Sequence, residues 1–428
     1  MECCMCRGAV PETQEYTEEN NGRSRKDWEV MKKILKPDRI ITGDGKTVLE
    51  KQAVLLEGDR ILKVGTPEVL SQEALDAMTE ELPGCSLLPG LIDMHVHISG
   101  LYLRPEKAEM QANPAYLMLM VYKHLQDALS VGITTLRGVG EAKGIGEAVR
   151  KGYRKGFIKG PRYITCERSL TRTGGHGSTG EVAKIEVDGP WNLRQAVRNN
   201  LKEGADWIKV MDSHRNSGSE FTLEELCAVT DEVHRNGRKC AIHAGTVESI
   251  AFAVEAGFDT IEHGCFLDEA LCEKAIRKGL AWIPTIYVYE KSTAYMRSVT
   301  KNPGKAELDS FRFLDETNDA YKVNFLRNYR AGLLIATGTD ICFPEFFITP
   351  IAEEIKTFVK LGLTPLEALQ CATENGARIL GMEDEIGLVK EGLCADLLVV
   401  KGNPAERIED VENVLQVYRA GELLVDNA

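Results

Sequence analysis

The chain has 428 residues, 43% of them hydrophobic and 27% charged, which is enough material for a soluble barrel and a second, smaller domain. A formal charge of −13 and a pI of about 5.3 disfavour nucleic acid and anionic membrane surfaces as partners. They leave room for an acidic small molecule, because a local cationic centre can override the global sign. No apolar run approaches the roughly 20 residues that span a bilayer, and residues 1–21 lack the apolar core of a signal peptide.

Residues 1–26 are polar and charged and are expected to be a disordered tail, with Cys3, Cys4 and Cys6 as free thiols. The other nine of the 12 cysteines are scattered without a C-x-x-C pair, a usage expected of a reduced, cytoplasmic protein. From Asp38 to Gly65 short β-type runs are broken by G-D-G and E-G-D-R turns, and the same texture returns in ADLLVVKGN and VLQVYRAGELLV. The expected organisation is a small β-sandwich domain built from both chain ends, 27–88 and 382–428, around a body at 89–381.

That body alternates strands and helices. Strands are predicted at 90–98, 132–139, 162–169, 207–211, 239–244, 260–264, 282–288 and 333–340. Thr222 with Glu225, and Thr364 with Pro365 and Glu367, carry the start signals of two helices; Gly237 and Gly381 are placed to end them. Eight such units predict a (β/α)8 barrel of the TIM type, with a doubly wound sheet as the structural alternative. Two insertions stand out: 169–190, rich in glycine with His176 at the centre of GGHG, and about forty residues from Glu290 to Arg330 that read as a helical lid.

The candidate chemistry falls at strand ends. His95 and His97, two apart in a strand, point to the same side and can reach one metal ion. Lys209, His243, His263 and Asp340 follow at barrel-like intervals. Singly, each has a plain reading: His243 as a core histidine, His263 in a local hydrogen bond, Asp340 as a helix cap, and Lys209 in a buried ion pair with Asp206 or Asp212. Together, six residues at five strand ends predict one mouth, where imidazole and carboxylate suit zinc and similar ions. A lysine in an apolar strand has a lowered pKa, and its neutral amine can add carbon dioxide to give a carbamate that bridges two metals. Arg168, Arg172, Tyr287 and Tyr289, on or after strand ends, are further candidates to grip a substrate carboxylate.

The set PGLIDMHVH, the lysine strand, the two single histidines, GTD and the closing GLVKEGLCADLLVVKGNP resemble the amidohydrolase superfamily of metal-dependent hydrolases. TGGHG and AGFDTIEHG are similar to its imidazolonepropionase-like branch, which includes prolidase-like dipeptidases. The resemblance implies His95, His97 and Asp340 on one metal, His243 and His263 on a second, and carboxylated Lys209 and a hydroxide between them. It implies Asp340 as proton shuttle and His176 facing the substrate, as an oxyanion donor or a partner of its carboxylate. Gly138 departs from the pattern, which places an aspartate after Arg137, and Gly245 stands where a larger residue is common.

The function expected is hydrolysis of an amide C–N bond in a dipeptide or N-acyl amino acid with a free carboxylate, with two divalent ions, zinc foremost. Ring opening of a cyclic amide, imidazolone or lactone is the alternative; a deaminase and a non-catalytic scaffold are the others weighed. The expected partner is a small-molecule substrate, with the β domain and lid available for self-association into a homo-oligomer.

Overall fold

The structure is a computed structural model that describes residues 32–99, 112–178, 183–213, 218–340 and 350–427. The cysteine tail expected at the N-terminus lies outside the described residues. The first strands are β1 (Lys32–Ile41), β2 (Val48–Glu50), β3 (Ala53–Glu57), β4 (Arg60–Gly65) and β5 (Met78–Pro89). The body carries β6 (Leu91–Val96), β7 (Ile133–Gly138), β8 (Arg162–Thr165), β9 (Ser169–Thr171), β10 (Lys184–Glu186), β11 (Trp207–Met211), β12 (Lys239–Ala244), β13 (Thr260–His263) and β14 (Ala281–Ile283). The chain closes with β15 (Leu397–Lys401), β16 (Val414–Arg419) and β17 (Glu422–Asp426).

Strands from both chain ends share one eight-stranded sheet in the order β17-β16-β15-β5-β1-β3-β4, with β2 also on β1. The centre is β5, parallel to β1 and antiparallel to β15. The sheet curls back on itself: Ile61 N donates to Leu393 O at 2.9 Å, and Arg60 bridges Cys394 just before β15. Leu35, Val54, Leu87, Leu397 and Val399 fill the core thus enclosed.

In the body, β6-β7-β8 and β9-β11-β12-β13-β14 are parallel ladders. Asp206 N donates to Thr165 O at 2.8 Å, joining β8 to the approach of β11. The eighth strand expected at 333–340 is reduced to a single bridge at Ile335. Its neighbours nevertheless bond on both sides: Trp282 N to Leu334 O (2.9 Å) toward β14, and Met94 N to Thr337 O (3.0 Å) and Asp340 N to His95 O (2.8 Å) toward β6. Gly338 makes this approach feasible, since a Cβ there would lie 2.8 Å from His95 Cβ and 2.5 Å from Ile283. The lower barrel is filled by Ile92, Met94, Trp207, Ala241, Ile283 and Ala336.

The strand expected at 282–288 stops at Ile283. Thr285 turns the chain with φ of 50°, and a helix, Ile286–Val299, begins there. Glu354 supplies what the helix start lacks: its carboxyl oxygens accept from Ile286 N at 2.9 Å and Tyr287 N at 2.7 Å. A second helix, Lys305–Arg330, packs on the first, so the insertion is a helical pair. The capping boxes at Thr222 and Thr364 are both formed. No described helix is long and apolar enough to cross a membrane.

Candidate active site

Parallel strands send their C-terminal ends to one mouth, and this places the site. His95 sits on β6 with His97 just beyond, Lys209 lies on β11, His243 on β12, His263 ends β13, and Asp340 ends the eighth segment. All six line a single cavity of about 250 Å³, together with His176 from the glycine-rich insertion and Tyr289 from the first lid helix. Met211, Val288, Ser292 and Leu314 make its apolar and hydroxyl walls.

Asp340 is the hub. Its Oδ1 lies 3.3 Å from His97 Nε2 and 3.5 Å from His95 Nε2, and its Oδ2 lies 3.9 Å from His263 Nδ1. The ring centroids of His95 and His263 are 5.0 Å apart, those of His243 and His263 4.4 Å, and those of His176 and His243 4.4 Å. Of the six described non-glycine residues with positive φ, four (Glu167, His263, Thr285 and Asp340) lie at barrel strand ends. Each such backbone costs about 1–3 kcal/mol and persists where the surroundings enforce it.

Partners behind the rings set their tautomers. His95 Nδ1–H donates to Glu262 Oε2 at 2.6 Å, and His97 Nδ1–H donates to Gly140 O at 3.1 Å. Both Nε2 atoms therefore face Asp340. His263 Nδ1 meets Thr285 Oγ1 at 2.7 Å. Glu262, fully buried, also accepts from Arg137 Nη2 at 2.7 Å and from Thr260 Oγ1 at 2.6 Å. Arg137, equally buried, donates to Met94 O at 2.7 Å and stacks on Trp207, 4.7 Å from the ring centre.

The charges follow. Burial pushes the carboxyl of Glu262 up, but Arg137 and Lys209 overcome this and hold it far below the usual range. Burial opposes ionisation of Asp340 too, and the imidazoles of His95, His97 and His263 overcome it. His243 and His263 are held well below the ordinary imidazole value, chiefly by burial. Burial lowers Lys209 to about 8 against the pull of Glu262 and Asp340. Its Nζ is buried without a hydrogen bond. The ion-pair reading of Lys209 is thus overturned: Asp206 pairs with Arg150 at 2.7 Å, and Asp212 accepts from Ser219 and Phe221. The neutral imidazoles of His243 and His263, an ionised carboxylate and an orphaned amine fit a divalent-metal centre; the ligand atoms of His95, His97 and Asp340 already lie within 4.8 Å of one another.

The other substrate candidates divide. Tyr289 lines the cavity, its ring 5.6 Å from His263. Tyr287 does not; it sits on the lid helix, not at a strand end, near Glu353 and Lys356. Arg168 pairs with Glu203 at 3.3 Å and borders a separate surface cavity, and Arg172 is exposed outside the cavity lining. Arg137, Glu262, Thr285 and Glu141 escaped the sequence reading. Glu141 accepts from Ile98 N (3.1 Å), Ser99 N (2.8 Å) and Ser99 Oγ (2.5 Å), pinning the turn just after His97. It also explains Gly138: a Cβ there would fall 2.0 Å from Tyr163 Oη and 2.7 Å from Glu141 Oε1. Tyr163 and Glu141 occupy the space that an aspartate after Arg137 would need.

A parallel barrel that gathers four histidines, a desolvated lysine and an aspartate at one mouth defines the class of metal-dependent barrel hydrolases. The profile of the amidohydrolase family matches residues 86–424, and the chain belongs to that family. It is 28% identical to the ochratoxinase of Aspergillus niger over 423 residues, covering 90% of this chain and 85% of that protein. It is 23% identical to the imidazolonepropionase of Paracoccus denitrificans, covering 86% and 92%. Among solved structures it resembles a Xaa-Pro dipeptidase with methionine bound in its active site, with a TM-score of 0.82, 28% identity and coverage of 92% of this chain and 99% of that one.

Proposed function

We propose that this protein hydrolyses the amide bond of a dipeptide or N-acyl amino acid bearing a free carboxylate. The observation that carries the reading is the convergence of the six donors on one cavity, with Lys209 Nζ buried and unbonded. The likeness to a Xaa-Pro dipeptidase and to ochratoxinase supports it. His95, His97 and Asp340 would hold one divalent ion and His243 and His263 a second, with Lys209, carboxylated, between them; zinc is the expected ion. Such a pair lowers the pKa of water and polarises a carbonyl.

The chain's own groups do the rest. Asp340, ionised at neutral pH, accepts the proton of the attacking water at a carboxylate oxygen and delivers it to the departing nitrogen. The hydrogen bonds behind His95, His97 and His263 keep the donors from reorienting as charge develops. His176, stacked near His243 at the mouth, binds the substrate carboxylate. Val288, Tyr289 and Leu314 exclude water from the scissile bond.

One feature favours a second reading, the opening of a cyclic amide. Gly245 puts no side chain beside His243, where a Cβ would already sit in ordinary contact with Ser213 Oγ at 3.5 Å and His243 Nε2 at 3.8 Å. The test is to incubate zinc-loaded protein with dipeptides, N-acyl amino acids and cyclic amides, and follow products by mass spectrometry. Cleavage confined to linear amides with a free carboxylate is expected. Turnover of rings alone would replace the first reading with the second.

A further inference from the structure

We propose that His234, Cys240 and Asp259 form a separate, sulfur-containing cation site at the opposite end of the barrel, suited to zinc or a similar divalent ion. Strand direction places it: His243 and His263 lie at the mouth ends of β12 and β13, whereas Cys240 is the second residue of β12 and Asp259 immediately precedes β13. His234 joins them from the last turn of the helix Leu223–Arg235. Three elements thus converge on one point far along both strands from the catalytic donors.

The geometry suits an ion. His234 Nε2 lies 3.0 Å from Asp259 Oδ2, and Cys240 Sγ lies 3.6 Å from the same oxygen. All three ligand atoms fall within 4.8 Å of one another. Zinc bonds of about 2.0–2.3 Å at tetrahedral angles separate N, O and S donors by about 3.3–3.7 Å, within a few tenths of an ångström of the His234–Asp259 and Cys240–Asp259 separations. The carboxylate is already aimed, because Cys240 N donates to Asp259 Oδ2 at 2.8 Å. His234 is exposed and gives solvent an entry, leaving a fourth position for water. A thiolate and an imidazole select zinc-like ions over magnesium or calcium. The thiol must give up its proton to the solvent as the ion arrives, so binding strengthens as pH rises. Burial, which raises the Cys240 thiol, extends this dependence to higher pH. The bound ion would stitch the end of the helix to two barrel strands and raise thermal stability.

The test uses metal-free, full-length protein titrated with Co²⁺ while thiolate-to-cobalt charge transfer is followed in the near ultraviolet. The donors at the barrel mouth contain no sulfur, so this band reports a cysteine-bound ion only. The expected result is a band that persists in Asp340→Asn, disappears in Cys240→Ser, and needs at least tenfold more Co²⁺ in His234→Ala. His234 is a surface residue outside the catalytic cavity, so its variant keeps the fold and the hydrolytic activity even if Cys240→Ser is unstable. Absence of the band at saturating Co²⁺, or titrations of His234→Ala and Cys240→Ser that match the wild type, would overturn the proposal.

Discussion

Replacing Arg137 with Met tests the support beneath the site. Arg137 and Glu262 are both fully buried, and the guanidinium is the one side-chain cation bonded to that carboxylate among the described residues. Arg137→Met removes the bonds to Met94 O, Thr260 Oγ1 and Glu262 Oε1 and leaves a carboxylate in a dry interior. Breaking one side of a buried pair costs about 3–5 kcal/mol, most of it from the stranded charge. Removing that charge as well, in Arg137→Met/Glu262→Gln, should restore about 2 kcal/mol. The assay is urea denaturation of the metal-free single and double variants, with metal affinity measured alongside. Glu262→Gln alone should weaken metal binding about 10–100-fold, because the acceptor that orients His95 becomes a neutral amide. A loss below about 1 kcal/mol in Arg137→Met, or a double variant whose loss equals the sum of the singles, would refute the argument that charge compensation is the arginine's role.

Asp340→Asn should retain metal and lose about 10²–10⁴ in kcat, because the amide cannot take the proton; near wild-type turnover in the loaded variant would remove the shuttle. Lys209→Ala should bind one fewer metal by elemental analysis and regain some activity with short carboxylic acids, whereas unchanged occupancy would count against carboxylation. Glu354 gives a pH prediction. Burial raises its carboxyl to about 8 from the ordinary 4.5, so the folded protein keeps this proton after the unfolded chain has lost it. Stability should therefore fall as pH rises from about 4.5 to 8, by up to about 1.4 kcal/mol per pH unit from this group. Denaturation midpoints of Glu354→Gln should show a correspondingly flatter slope; identical slopes would place the effect elsewhere.

The residues that face the cavity were legible because strand ends in a parallel barrel share one destination, so single letters such as His243 and Asp340 acquired meaning from their spacing. Their supports were not. Glu262 lies 125 residues from Arg137 and 167 from His95, and no local pattern links them. The seventh strand was overextended because I-P-T-I-Y-V has strand chemistry; the stop comes from a left-handed threonine and from Glu354, 68 residues from Ile286. The eighth was read whole because A-T-G-T-D alternates, whereas only Ile335 forms a strand bridge, to Trp282. Arg168 and Arg172 looked like carboxylate clamps by position in sequence, but the first is claimed by Glu203 and the second is exposed outside the cavity lining.

The sheet built from both chain ends also sets a timetable for synthesis. One edge of β5 can pair with β1 early, but the other waits for β15, which leaves the ribosome about 300 residues later. At roughly 5–20 residues per second, that edge stays open for about 15–60 s on every nascent chain. Its residues Ser86, Leu87 and Leu88 offer unpaired backbone groups throughout that interval, when two neighbouring nascent chains can zip together. Yield in a cell should then depend on translation speed and chaperone supply more than on the stability of the finished fold.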